Sequence, residues 1–177
     1  MERARESFFS TGMQYYVSGR YAVIAGLIPV AGNLLHHAVE MFLKGGLASS
    51  MELKELKNVR HHLPKIWKVF KDRLGKDGFE RFDPVVTSLH AFEELRYPDS
   101  MILHGAKMIM GVTGQPVLAG SAQIIATPSY ELYLSEVDPL VGAIFDAASV
   151  NPAFFTDRLQ PCAREYLRDT NANPWAG

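Results

Sequence analysis

One cysteine in 177 residues, Cys162, excludes an intrachain disulfide and any thiolate-rich metal site. A dominant charge is missing too. The 18 Lys and Arg are balanced by 19 Asp and Glu, for a formal net charge of -1. Bulk charge therefore argues for neither a nucleic-acid glove nor a membrane surface, and leaves only local basic patches open. Long hydrophobic runs are absent. The most apolar stretch, AVIAGLIPVAGNLL (22–35), is too short to cross a bilayer comfortably and is interrupted by Pro29 and Gly32. The opening MERARESFFSTGMQYY lacks the apolar stretch of a secretory signal. These absences lead to the expectation of a soluble, cytoplasmic protein that does not enter a membrane.

Several catalytic signatures are also lacking. There is no H-E-x-x-H and no G-x-x-x-x-G-K-[ST]. There is no G-x-S-x-G. GVTGQP (111–116) has two glycines, but no lysine follows them and no clear helix.

What is present is ordinary globular composition, 47% hydrophobic and 21% charged, in a chain long enough for one domain with a real core. The first half reads as helices. Residues 3–17 form a modest amphipathic helix ended by Gly19, and 20–46 a longer one, kinked or broken near Pro29. Gly45 and Gly46 supply its stop. Residues 51–58 fit either a short helix or a loop. Pro64 sits in the first turn of the next helix, where Leu63, Ile66, Trp67, Phe70 and Leu74 make one buried face. A fourth helix covers 79–96 with a restart at Pro84.

After Pro98 the texture changes. Residues 100–135 are rich in Gly, Ile, Val and Met, with turn signals at Val112–Gln115 and Pro128–Ser129. This predicts a β-hairpin or three-strand insertion. Helices resume from Glu136, and 170–177 reads as a frayed tail, packed at most through Trp175. The expected fold is mainly α: a single domain over 1–177, a bundle of four to six helices with a small β insertion.

NLLHHAVEMFLKGGL (33–47) is the most patterned stretch. On a helical wheel Asn33, His36, His37, Glu40 and Lys44 fall in a band about 100° wide, and apolar residues occupy the rest. This is a central helix with one polar stripe. The stripe is expected to face water; the alternatives are a seam at a subunit interface or ligand pocket, and a metal site. His36 and His37 stand i, i+4 and i, i+3 from Glu40. Two ligands from one turn do not make a site, and His61, His62, His90 and His104 would have to converge by folding. No metal and no cofactor are expected.

Three segments carry a resemblance. They are the hydrophobic helix with Ala38, Val39, Glu40, Leu43 and Lys44, the His62–Leu63 helix entry, and Arg96–Tyr97–Pro98–Asp99. Together they resemble the HEPN superfamily, small helical domains of higher eukaryotes and prokaryotes named for nucleotide binding. The resemblance covers roughly 3–99 and the helices after 136. It implies a helical bundle, often a homodimer. One group of the family is metal-independent RNases, toxins among them, with an R-x(4–6)-H motif on the last core helix. The other is non-catalytic and binds nucleotides or RNA, or pairs with a nucleotidyltransferase. In the RNase motif histidine moves the 2′-hydroxyl proton and arginine holds the phosphate. Arg96 and His104 are the nearest pair here, but seven residues separate them and Pro98 intervenes. The favoured expectation is a non-catalytic binder of a nucleotide or RNA-type phosphate ligand, contacted by Arg96, Lys44 and His37 and oriented by Glu40 and Asn33. The RNase using Arg96 and His104 is the enzyme alternative, and a protein–protein module is a third.

Smaller features have bland readings. Trp67 is expected in the core. Cys162, beside Pro161 at a helix start, is expected buried and inert rather than activated. Met101, Met108 and Met110 read as core or as an adaptable contact surface. The exposed edges of the β insert are a plausible dimer element.

Overall fold

A computed structural model describes residues 2–59, 61–114 and 128–171, with the side chains of Ser100, Met101 and His104 excepted. Helix α1 (Glu2–Ile24) and helix α2 (Ile28–Leu47) form a helical hairpin and pack along their length. Gly19, expected to end the first helix, lies inside α1 instead. A Cβ there would stand 2.8 Å from Leu35 Cγ, so its value is close approach to α2 rather than chain termination. The break falls at Ala25–Leu27, where Gly26 takes φ +72°, and Pro29 opens α2 at a first-turn position where no intrahelical donor is lost.

Helix α3 (Leu53–Asn58) is short and closed by a capping box between Glu52 and Glu55. Helix α4 (Leu63–Leu74) buries Leu63, Ile66, Trp67 and Phe70 as the periodicity predicts. A 3-10 turn, Phe79–Phe82, leads into α5 (Asp83–Ala91), and a second, Phe92–Arg96, follows it directly. Tyr97, which precedes Pro98, is extended at φ −118°, ψ 141°, so the helical path ends there. Pro98 then starts α6 (Pro98–His104), in a segment expected to begin a strand.

Strands β1 (Lys107–Gly111) and β2 (Ser129–Tyr133) form a two-stranded sheet, but they pair in parallel, with Lys107 beside Ser129 and Gly111 beside Tyr133. The expected hairpin is therefore corrected. A tight turn can only return a chain antiparallel; parallel strands need a crossover, and the connection 112–128 has the length for one. Residues 115–127, including the expected turn residue Gln115, lie outside the described part, as does the tail 172–177 with Trp175. Helices α7 (Leu134–Ala147), α8 (Ala153–Thr156) and α9 (Pro161–Thr170) complete the chain. The molecule is mainly helical with a small parallel sheet. Among the described residues no helix is long and apolar enough to cross a membrane.

Helix α2 is the hub. It touches α1, α4, α5, α7, β1 and the turn Phe92–Arg96. Phe9, Phe42 and Phe145 cluster at its centre, with ring centroids 4.9–5.9 Å apart. Gly32 gives the turn its seat: a Cβ at this position would lie 2.2 Å from a ring carbon of Phe92.

A polar clamp holds the C-terminal helices to α1. Arg20, fully buried, donates to Asp138 on α7, and its other terminal nitrogen donates to the Thr170 carbonyl of α9 at 2.6 Å. The Tyr16 hydroxyl donates to the same Asp138 oxygen at 2.6 Å and accepts from Asn171 at 2.7 Å. Such a pair stabilises only while complete, because either charge left alone is buried and uncompensated. Asp138→Ala is expected to cost about 3–5 kcal/mol. In a chain this size that is a fall in Tm of about 6–20 °C. The double variant Arg20→Met/Asp138→Leu should recover most of it. A thermal melt in which the double variant is no better than the single would rule the buried pair out as the cause.

Candidate functional site

Most of the polar stripe of α2 is covered, with only Asn33 and His37 partly open to water. His36 is 1%, Glu40 0% and Lys44 7% exposed. The correction has a simple origin: the chain from His61 into α4, the end of α5 and the turn Phe92–Arg96 all lie over the stripe. They bring their own polar groups, so the seam holds histidines from three separate stretches of sequence.

Each contributor is placed by local structure. His62 is the N-cap of α4, its ring accepting from the Lys65 amide at 3.3 Å, while Pro64 fixes the first turn. His61 is thereby turned onto Glu40, its Nδ1 2.9 Å from Oε1. His90 ends α5. Tightening to 3-10 geometry then swings Glu93 back under it, the His90 Nδ1 to Glu93 Oε2 distance being 3.4 Å. The rings of His62 and His90 lie 4.4 Å apart, those of His36 and His90 5.8 Å, and those of His36 and His37 5.4 Å.

Glu40 is the centre. Its Oε1 accepts from Lys44 Nζ at 2.7 Å as well as facing His61. Its Oε2 lies 3.8 Å from His36 Nε2 and 3.7 Å from His37 Nδ1, distances too long for hydrogen bonds. Burial alone would raise the carboxyl pKa. The His37 ring, the Lys44 ammonium and His61 outweigh it, and Glu40 is held down from 4.5 to about 2. It is a buried carboxylate, ionised at neutral pH.

His36 behaves oppositely. Burial depresses its basicity, against the pull of the Leu89 carbonyl, Glu93 and Glu40. Its Nδ1 stands 3.1 Å from that carbonyl, which can only accept, so Nδ1 carries the proton and Nε2 a lone pair. His36 Nε2, Glu40 Oε2 and His90 Nδ1 are buried and make no hydrogen bond among the described residues. Two overlapping sets have metal-ligand spacing, His36–His37–Glu40 and His36–His90–Glu93, each two histidines and one carboxylate.

The residues expected from sequence divide. His37, Glu40 and Lys44 are in the seam. Asn33 is not: its side chain donates to the Pro29 carbonyl, one turn back on its own helix. Arg96 is exposed at the end of the turn that carries Glu93, its guanidinium 5.8 Å from the Tyr97 ring. No ion pair joins it to Glu93, Asp99 or Glu40 among the described residues. His104 closes α6 rather than lying in a strand, and extended Tyr97 separates that helix from Arg96, so the pair does not share one helix as the RNase motif requires. The His104 side chain and Arg60 lie outside the described residues. Cys162 is exposed, not buried, because only Leu167 of α9 turns fully inward.

Of the other seam residues, His36, His61 and His90 had been weighed as ligands that folding would have to bring together, and Glu93 had been given no ligand role. Their one legible signal was the excess of histidine near helix ends. Compared with family models, with curated proteins and with solved structures, the chain matches none.

The depressed Glu40 pKa has a signed consequence. Its stabilising contribution is complete above the ordinary 4.5 and is lost as pH falls toward about 2. In chelator, wild type should lose up to about 3 kcal/mol relative to Glu40→Gln across that window. Urea midpoints measured in steps of pH check it. Profiles that run parallel would mean that Glu40 is not held ionised by the fold.

Proposed function

We propose that this chain is a HEPN-like binding domain for a nucleotide or RNA-type phosphate ligand, without catalysis of its own. The observation that carries the reading is Arg96. Lys44 spends its charge on Glu40 inside the protein. Arg96 keeps its own at the surface, one 3-10 turn beyond Glu93, beside a tyrosine ring that is 63% exposed. A guanidinium fork suits phosphate oxygens, and an exposed aromatic face suits a base. His61 and His62, both exposed, border the same seam.

The resemblance adds a homodimer and a nucleotidyltransferase partner to this reading. Exposed Ile102 and Leu103 on α6, just beyond Arg96, are apolar surface available to either. The RNase reading is weaker, because the helix break at Tyr97 parts its two residues.

The test is thermal stabilisation by ATP, GTP and a short single-stranded RNA, with Arg96→Ala alongside. A ligand at 100 times its Kd adds about 2.7 kcal/mol of apparent stability. In a chain this size that is about 5–10 °C. Loss of one charge-assisted contact weakens binding about tenfold to a hundredfold in Arg96→Ala. No stabilisation by any of the three would overturn the binding reading. Arg96-dependent cleavage of the RNA in EDTA would establish the RNase instead.

A further inference from the structure

We propose that the buried seam is a binding site for one divalent first-row transition ion, held by His36 Nε2, His37 Nδ1 and Glu40 Oε2. The side-chain arrangement in the seam is repulsive as it stands. His36 gives its Nδ1 proton to the Leu89 carbonyl, so its Nε2 presents a lone pair. That lone pair is aimed at Glu40 Oε2, 3.8 Å away, and at Glu93 Oε2, 3.9 Å away. Both His36 Nε2 and Glu40 Oε2 are buried and make no hydrogen bond among the described residues. Electron pairs facing one another across a gap too wide for a hydrogen bond call for a cation between them. Lys44 does not supply it, because its ammonium lies on the other oxygen, Oε1.

Distances favour an ion of ordinary size. Tetrahedral bonds of 2.0–2.2 Å place neighbouring ligand atoms about 3.3–3.6 Å apart. Glu40 Oε2 stands 3.8 Å from His36 Nε2 and 3.7 Å from His37 Nδ1, so these two edges close with shifts of a few tenths of an ångström, and the edge between the two histidines lies within 4.8 Å. The Leu89 carbonyl on Nδ1 is the outer-shell partner that fixes the tautomer of a ligating histidine. Imidazole with one carboxylate selects Zn²⁺ and its first-row neighbours over Mg²⁺ and Ca²⁺, which prefer all-oxygen sites.

His36 has one free nitrogen, so its two ligand sets cannot both be filled through it. The set with Glu40 is preferred, because that carboxylate is wholly buried while the Glu93 carboxylate is one-third exposed and open to water. Three protein ligands leave a fourth position for water or an anion. His37, only partly buried, marks the side from which it is reached.

The test is Zn²⁺ titration of the metal-stripped full chain against a chromophoric chelator, with Co²⁺ visible absorption as a second readout. No nucleotide is present, so the outcome does not depend on the phosphate reading. We expect one ion per chain, and a loss of at least about 100-fold in affinity for His36→Ala and Glu40→Gln. His37→Ala, at a part-exposed position, should also weaken binding at least tenfold and change the Co²⁺ spectrum. Cys162→Ser, at an exposed thiol on α9 outside the seam, should keep one ion within a few-fold of wild-type affinity. No stoichiometric binding, or binding that survives His36→Ala, would overturn the site. So would loss confined to the Cys162→Ser variant. Loss in His90→Ala with retention in His37→Ala would overturn this ligand set.

Discussion

A helix buried on nearly all sides must find an internal answer for every polar group it carries. Helix α2 sets that constraint. Six elements of the fold rest on it, and its one polar stripe carries a carboxylate with no exposure at all. A lone buried carboxylate would either take up a proton or unfold its surroundings. Here one oxygen receives an ammonium and an imidazole, and the other faces two imidazoles. The entry to α4 and the turn after α5 are placed as much by this requirement as by their apolar contacts.

The same constraint separates two kinds of chemistry that the sequence had merged. Lys44, His37 and Arg96 looked like one phosphate-binding set. In the folded chain Lys44 is neutralised by Glu40, and Arg96 stands apart at the surface. The interior is a nitrogen-and-carboxylate site suited to a cation. Arg96, exposed with its guanidinium 5.8 Å from the Tyr97 ring, is the group that the proposed phosphate ligand would meet. An ion inside would supply the positive charge that Lys44 no longer offers, so the two readings are compatible while resting on different residues.

How much was legible follows physical lines. The core faces of α2 and α4 were readable, because amphipathic period and burial are local properties of a few turns. The mainly helical class with a small β element was readable for the same reason. The direction of strand pairing was not: periodicity marks a strand but says nothing about its partner's direction. The α6 segment misled because Met, Ile and Leu suit a strand as well as a helix, and Pro98 acted as a helix start. The seam was half legible. His36, His37 and Glu40 share one turn and could be placed on a wheel. His61, His90 and Glu93 joined them through tertiary packing, which spacing does not encode. The stripe's burial was hidden too, since a wheel shows which face is polar but not what lies over it.

The clamp between Arg20 and Asp138 has a consequence in time. The two residues are 118 positions apart, and Arg20 reaches Thr170 across 150. At about 5–20 residues per second, a ribosome needs about 6–24 s to make the 118 residues from Arg20 to its counter-ion. The α1–α2 hairpin is complete long before that, with its aromatic face ready to collapse. Yet the guanidinium on α1 cannot leave water until α7 arrives. The face of α1 that carries Arg20 therefore stays hydrated on the nascent chain until the C-terminal third emerges to cover it.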